Sequence, residues 1–184
     1  VTRCLVASLV ISGGSAHVVA HNVIAGGKVW LAGTNASTVY GNYQHGLRWG
    51  AGIEVNGGDG HVIGGNECDD DLCAVRLTGT TNARVERNHY RTRWFGIHLS
   101  DTHGTRVERN RAEHTMRAVS IEGGSGITVT KQFADRCDSG VVVERGAAGV
   151  TVERSWFHDC RVGVLVFEAA PVTVSDTAGA DGTG

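Results

Sequence analysis

The sequence predicts an all-β fold in which short strands of successive coils stack on one another. Three observations support this prediction. The 184 residues include 27 glycines but only one proline, Pro171, and 6% of the residues are aromatic. Two short apolar patterns recur along nearly the whole chain, and part of the chain repeats at intervals of 22 residues. A repeat of this length cannot bury its own apolar side, so its copies must stack.

Composition and charge exclude several classes of protein. Glycine does not occupy every third position, so a collagen helix is excluded. The net charge of −2 provides no general field for a polyanion, so we expect neither nucleic acid nor an anionic membrane as a partner. No apolar run approaches the length of about 18 residues that a membrane-spanning helix needs.

The repeat is clearest in the middle of the chain. Four consecutive segments of 22 residues begin at Gly60, Asn82, Gly104 and Gly126, and a fifth, one residue longer, begins at Ala148. Less regular copies precede them, and a further copy starts after Ala170. We therefore predict about seven coils.

The repeat also sets the predicted boundaries of the domain. Residues 16–177 should form the stacked coils. Residues 1–15 should form an N-terminal strand or a partial cap, and residues 178–184 a flexible tail. Because a stack of coils exposes a sheet edge at each end, we expect a second copy of the chain or further domains to cover these ends.

The first recurrent strand holds an aliphatic residue three places before a polar one. The pairs are Val19/Asn22, Val39/Asn42, Ile63/Asn66, Val85/Asn88, Val107/Asn110 and Val129/Gln132. We place the asparagine at a bend, where an amide that turns inward can bond to its copies in the coils above and below.

The second recurrent strand is an apolar, variable, apolar triplet, usually preceded by a small residue. The triplets begin at Val29, Ile53, Val75, Ile97, Val119, Val141 and Val164. Because side chains alternate across a strand, the outer members of each triplet should point into the core and the middle member outward.

The two patterns together resemble the right-handed parallel β-helix of the pectate-lyase-like superfamily. The closest resemblance is to its carbohydrate-binding and sugar-hydrolysis repeats, which also occur in mannuronan C5-epimerases. The resemblance implies that the triplets form a first sheet and the Val-x-x-Asn strands a second. It places a third sheet around Cys68, Tyr90, Ala112, Ala134 and Phe157. It also implies an active site on the first sheet and a secreted or extracytoplasmic protein.

The outward positions of the first sheet include three chemically different polar residues. From the N-terminal end, this outward column contains Trp30, Glu54, Arg76, His98, Ser120, Val142 and Leu165. An acid, a guanidinium and an imidazole therefore occupy three successive coils, within roughly 10 Å. The aliphatic residues at the end of the column suggest that a loop, a partner subunit or a further domain covers them.

This column suggests lyase or C5-epimerase chemistry on a uronate. Arg76 fits the group that neutralises the carboxylate, and His98 fits the base that removes the adjacent proton. Glu54 or His114 would return a proton or hold the imidazole. The alternative is a solvated polar ladder without catalytic function.

The loops beside the column supply candidate substrate-binding residues. Arg93 and Trp94 lie on the loop that leads into the first sheet, and Asp101 and His103 follow it. The predicted partner is therefore a polysaccharide or an oligosaccharide.

Three consecutive acids form a candidate metal site. Asp69, Asp70 and Asp71 carry the oxygen ligands that Ca²⁺ prefers, so calcium is the one cofactor we consider. A solvated acidic loop is the alternative. Asp70 with Asp101 or Glu54 would instead supply the paired carboxylates of a glycoside hydrolase.

Five cysteines cannot all pair within one chain. Cys137 and Cys160 fall in one column of adjacent coils, so they would approach disulfide distance in an oxidising compartment. Stacked thiols in the core are the alternative.

We therefore predict a carbohydrate-active β-helix that acts on an acidic polysaccharide by β-elimination or C5-epimerisation. Two alternatives stay open at this point. One is a non-catalytic glycan-binding or structural module of a larger protein, and the other is a glycoside hydrolase.

Overall fold

Each recurrent pattern forms a strand, and equivalent strands of successive coils pair in parallel. The computed structural model describes residues 1–180, and for Asp70 and Ala180 it describes the backbone alone. Within this range the chain forms only strands, turns and bends, and no helix of a length and hydropathy that could cross a membrane is present.

The strands form three faces in the order that the resemblance implies. The first sheet comprises Leu9–Ser12, Val29–Ala32, Ala51–Asn56, Arg117–Glu122, Ser139–Glu144 and Val162–Phe167. The second sheet comprises Val18–Ala20, Thr38–Tyr40, Val62–Gly64, Arg84–Glu86, Arg106–Glu108, Thr128–Thr130, Val150–Glu153 and Val172–Ser175. The third sheet comprises Leu5–Val6, Val23–Ala25, Tyr43–His45, Arg111–Glu113, Phe133–Asp135, Trp156–His158 and Ala178–Ala180.

Two longer strands join the third sheet to the first. Glu67–Thr78 and His89–Ser100 run through both faces, so these faces form one continuous sheet of 15 strands, while the second sheet has eight. The pairing of Glu67–Thr78 with His89–Ser100 is irregular near Asp71, where the strand bends from one face to the next.

The described residues form eight turns, one more than the approximate count from the sequence. The additional turn comes from the N-terminal segment, where Leu9–Ser12 pairs with Val29–Ala32. At the other end, Ala178–Ala180 pairs with Trp156–His158, and residues 181–184 of the expected tail lie outside the described part.

The predicted asparagine ladder is present and buried. Each side-chain amide donates to the side-chain oxygen of the asparagine in the next coil, at 2.9–3.0 Å, from Asn22 through Asn110. Each of these oxygens also accepts the backbone N–H of the asparagine before it. The ladder ends at Gln132, whose amide donates instead to the hydroxyl of Tyr90.

At two triplets, the glycine that precedes the triplet makes room for a large residue of the third sheet. A Cβ atom on Gly96 would lie 2.1 Å from the ring of Tyr90, and one on Gly140 would lie 2.3 Å from the ring of Phe157. Glycine is therefore required here by a close approach in the core. The apolar columns of the triplets complete this core.

We predict that Asn88→Ala destabilises the protein strongly. The substitution leaves the buried backbone N–H of Asn66 without a partner, and such a group costs about 1–3 kcal/mol. It also removes one hydrogen bond each from the side chains of Asn66 and Asn110. Urea unfolding followed by circular dichroism measures the free energy of unfolding. The control is Asn56→Ala, which removes a partly exposed amide outside the ladder. An equal loss of stability in both variants would contradict the role of the ladder.

Candidate functional site

The outward column of the first sheet is in register, as the repeat predicts. Arg76 pairs with Glu54 on one side and with His98 on the other. The same register extends from Trp30 to Leu165. Strand spacing therefore places the guanidinium and the imidazole on neighbouring coils, with Cα atoms about 4.8 Å apart.

Arg76 opens onto a mainly apolar cleft. The cleft has a volume of about 280 Å³. Its lining residues are Trp49, Gly50, Leu72, Cys73, Arg76, Trp94 and Phe95. The side chains of Trp49 and Trp94 are 82% and 55% exposed, which is unusual for indole rings and leaves their faces available to a ligand.

His98 pairs with Arg76 on the neighbouring coil, in a partly buried environment behind a residue that lines the cleft. Its ring stacks on Phe95, with 4.9 Å between ring centroids. Burial lowers the pKa of His98, and the charges of Arg76 and Arg117 lower it further, whereas Glu122 raises it. Because the net shift is downward, the imidazole is mainly neutral at neutral pH.

The carboxylate that contacts His98 belongs to Glu122. Its Oε1 atom lies 3.4 Å from Nε2 of His98, an ion-pair distance slightly too long for a good hydrogen bond. Its other oxygen accepts a hydrogen bond of 2.9 Å from Arg145. Arg145 therefore holds Glu122 in place beside the imidazole.

Glu54 and Arg76 differ in their partners. Glu54 accepts a short hydrogen bond of 2.6 Å from Lys28, whose ammonium also lies over the ring of Trp30. The Nε atom of Arg76 is buried and makes no hydrogen bond to any group in the described part of the chain. The column thus places a neutralised carboxylate next to a guanidinium whose Nε has an unused donor.

The C-terminal half of the column is partly covered, and the side chain that crosses it belongs to the first sheet itself. Ser120 and Val142 are buried, although they occupy outward positions. Arg117 reaches across this face, where it donates to Ser120 at 3.3 Å and to Glu144 at 2.7 Å. Leu165, further along, is exposed, and no described residue covers it.

Two of the predicted substrate-binding residues lie beside the cleft. Trp94 lines it, and Arg93 lines the two neighbouring depressions, one shared with Trp49 and the other with His114. His114 is exposed, and its Nε2 atom lies 3.4 Å from the guanidinium of Arg136. We call the cleft and these two depressions the groove.

The other two predicted binding residues lie away from the groove. Asp101 follows the first sheet and lines a shallow depression with Glu122 and Arg145. His103 lies at the turn toward the second sheet, where its ring contacts the hydroxyl of Ser125 at 2.9 Å. The structure thus separates these residues from Arg93 and Trp94 by the width of the first sheet.

The described acids of the predicted calcium site have different partners. Asp69 lies 3.3 Å from the guanidinium of Arg91. Asp71 is buried and accepts the backbone N–H of Leu47 at 2.7 Å. The side chain of Asp70 lies outside the described part of the structure, so the calcium site stays a prediction.

A second group of ionisable side chains lies at the C-terminal end of the third sheet. His158 contacts Asp135 at 2.7 Å and Asp159 at 3.9 Å. These three residues are close enough to share a cation. The guanidinium of Arg136, 4.0 Å from Asp159, already supplies a positive charge, so we interpret the group as an ion-pair network.

Sequence reasoning missed two residues of the site. Trp49 could have been found, because the dipeptide Arg48-Trp49 recurs two coils later as Arg93-Trp94. Glu122 was harder to find, since it lies one coil and two residues beyond His98 and its contact is diagonal across the sheet.

The family comparison supports the predicted architecture. A family model described as right handed beta helix region matches residues 28–178. The match confirms the predicted right-handed parallel β-helix. No curated protein matches the sequence.

Solved structures share the fold at low sequence identity. The catalytic domain of a GH87 α-1,3-glucanase variant in complex with tetrasaccharides is similar with a TM-score of 0.55 and 10% identity, covering 93% of this chain and 54% of that one. The surface protein and adhesin PfbA of Streptococcus pneumoniae is similar with a TM-score of 0.51 and 11% identity, covering 92% and 66%. The chain thus spans between about half and two thirds of these proteins, and the likeness shows the fold.

We predict that Glu122→Gln lowers the pKa of His98. The carboxylate of Glu122 favours the protonated imidazole, so its replacement by a neutral amide removes that stabilisation. NMR titration of the His98 ring measures the shift. Glu108→Gln on the second sheet is the control, because Glu108 contacts Arg109 and Lys131. An unchanged pKa in Glu122→Gln would show that the 3.4 Å contact carries no coupling.

Proposed function

The chain belongs to the right-handed β-helix family, and on this premise we propose that it acts on an acidic polysaccharide by β-elimination or C5-epimerisation. One observation carries the proposal. Arg76 lines a cleft bordered by two exposed tryptophans, and His98 lies on the next coil, stacked on Phe95, which lines the same cleft. This arrangement combines a carboxylate binder, a base and a surface for sugar rings.

Arg76 binds the carboxylate of the uronate. A guanidinium matches a carboxylate in a two-point contact, and its charge stabilises the negative charge that develops when the adjacent proton leaves. The buried Nε atom of Arg76 has no hydrogen-bond acceptor among the described residues, so a substrate oxygen would supply one.

His98 removes the proton bound to C5 of the uronate. A base must be unprotonated to act, and the lowered pKa of His98 keeps the imidazole neutral at neutral pH. Glu122 and the stacked ring of Phe95 orient the imidazole. Glu122 is therefore a positioning residue in this proposal.

The two reactions diverge after the proton has been removed. In β-elimination the C4–O4 bond breaks, the electron pair forms a C4–C5 double bond, and the leaving oxygen takes a proton. In epimerisation a proton returns to C5 from the opposite face. We assign this proton donor to His114, which lines the groove. Glu54 lines no part of the groove, and Lys28 pairs with its carboxylate.

The groove binds the polymer on both sides of the reacting sugar. Trp49 and Trp94 offer ring faces to pyranose rings, which are apolar on one side. Arg48 and Arg93, which precede them, supply cations for further carboxylates. Acidic polysaccharides are polymers found outside cells, so the proposal includes an extracytoplasmic location.

We predict that His98→Ala and Arg76→Ala each abolish turnover. Loss of a general base costs about 10²–10⁴-fold in rate, and loss of a charge-stabilising donor costs about 10²–10³-fold. The protein is incubated with alginate, pectate and glycosaminoglycans. Ultraviolet absorbance detects unsaturated uronates, and NMR detects epimerised residues.

Two controls make this experiment specific. His103→Ala and Arg84→Ala remove the same residue types away from the groove and should leave turnover unchanged. Binding of a polysaccharide without turnover by the wild type would reject the enzyme in favour of a glycan-binding module. Release of reducing ends without unsaturated sugars would favour hydrolysis.

We predict that Trp94→Ala raises KM several-fold to roughly tenfold with a smaller effect on kcat. A ring contact contributes about 1 kcal/mol beyond simple area burial, and this one acts on the bound chain at a distance from the reacting bond. Trp156→Ala is the control, because Trp156 is 46% exposed but lies on the third sheet. A selective fall in kcat would contradict a binding role for Trp94.

A further inference from the structure

Cys137 and Cys160 face one another across adjacent coils. Backbone hydrogen bonds hold the two segments together on either side of the cysteines. Arg136 donates to His158 at 2.9 Å, and Arg161 donates to Cys137 at 3.3 Å. The Cα atoms are thereby held near the coil spacing of about 4.8 Å, which lies within the range that a disulfide spans.

The two thiols occupy the same position of adjacent coils, two residues beyond the paired residues Asp135 and His158. Each thiol donates to a backbone carbonyl, Cys160 to that of His158 at 3.4 Å and Cys137 to that of Asp135 at 3.5 Å. Cys137 is buried, whereas Cys160 is partly exposed. A reagent in solution therefore reaches the pair through Cys160.

We propose that Cys137 and Cys160 form a thiol–disulfide exchange site, which a small disulfide such as oxidised glutathione converts into a disulfide between two coils. The matching positions of the two cysteines on adjacent coils and the exposure of only one of them carry the proposal. The neighbouring thiol of Cys137 also lowers the pKa of Cys160 to about 7, which favours the attacking thiolate.

The exchange proceeds in two balanced steps. The thiolate of Cys160 attacks one sulfur of oxidised glutathione, which forms a mixed disulfide and releases one reduced glutathione. The thiol of Cys137 then loses its proton and attacks Sγ of Cys160, which releases the second glutathione. Two protein thiols are oxidised, and one glutathione disulfide is reduced.

The other cysteines lack this arrangement. Cys68 and Cys73 are buried within a single coil, and Cys4 is exposed near the N-terminus. The disulfide would also bear on the groove, because Arg136 and Asp138 flank Cys137 and line the depression next to His114. The proposal does not depend on the enzymatic function.

Oxidation of the folded protein tests the proposal. The wild type is incubated with oxidised glutathione, denatured without reductant, alkylated with iodoacetamide and analysed by intact mass and peptide mapping. We expect no alkylation of Cys137 or Cys160, no glutathione retained on either of them, and one crosslinked peptide pair that contains both. The oxidised protein should also melt at a higher temperature than the reduced protein.

Three variants define the route. Cys137→Ser should retain one glutathione at Cys160, Cys160→Ser should retain none at Cys137, and Cys4→Ser should form the crosslink as the wild type does. Glutathione that stays on Cys160 of the wild type, alkylation of all five cysteines, or a crosslink between another pair or between chains would overturn the proposal. The wild-type peptide map decides the matter even if a variant fails to fold.

Discussion

The structure depends on the in-register stacking of coils that cannot bury their apolar residues alone. Once the coils stack in parallel, each position of the repeat becomes a column, and every column must suit its own copies. Apolar residues form the core columns, and asparagine amides link their copies at the buried bend. Loss of one asparagine side chain therefore removes hydrogen bonds from the asparagine of the preceding coil and from that of the following coil.

The same stacking explains which features were predictable. The triplets, the asparagine bend and the adjacency of Arg76 and His98 all follow from the repeat, because the repeat sets the register. The burial of Val142 does not follow from it, since it depends on Arg117 reaching across to Glu144. The contact of His98 with Glu122 is likewise diagonal. Such contacts depend on side-chain conformation and loop shape, which a one-dimensional pattern does not contain.

In the site, the charge of one residue acts on two groups, and the outward column alone does not show this. The positive charge of Arg76, which we propose binds the substrate carboxylate, also helps to keep the neighbouring imidazole of His98 unprotonated. One guanidinium therefore prepares both the substrate and the base. Glu122 acts in the opposite direction and limits this effect, while Arg145 holds Glu122 in place. The low net charge of the whole chain conceals this local arrangement.

The constant spacing of the coils also repeats the side-chain positions at regular intervals along the solenoid axis. The two Arg-Trp dipeptides lie two coils apart, at Arg48-Trp49 and Arg93-Trp94, which corresponds to about 10 Å along the axis. A linear polymer lying along this axis meets a different side chain about every 4.8 Å. The length of polymer in contact with the protein is therefore set by the number of coils. Gain or loss of one 22-residue coil would change the length of polymer in contact by about 4.8 Å. The cross-section of the solenoid, and therefore the fold, would stay the same.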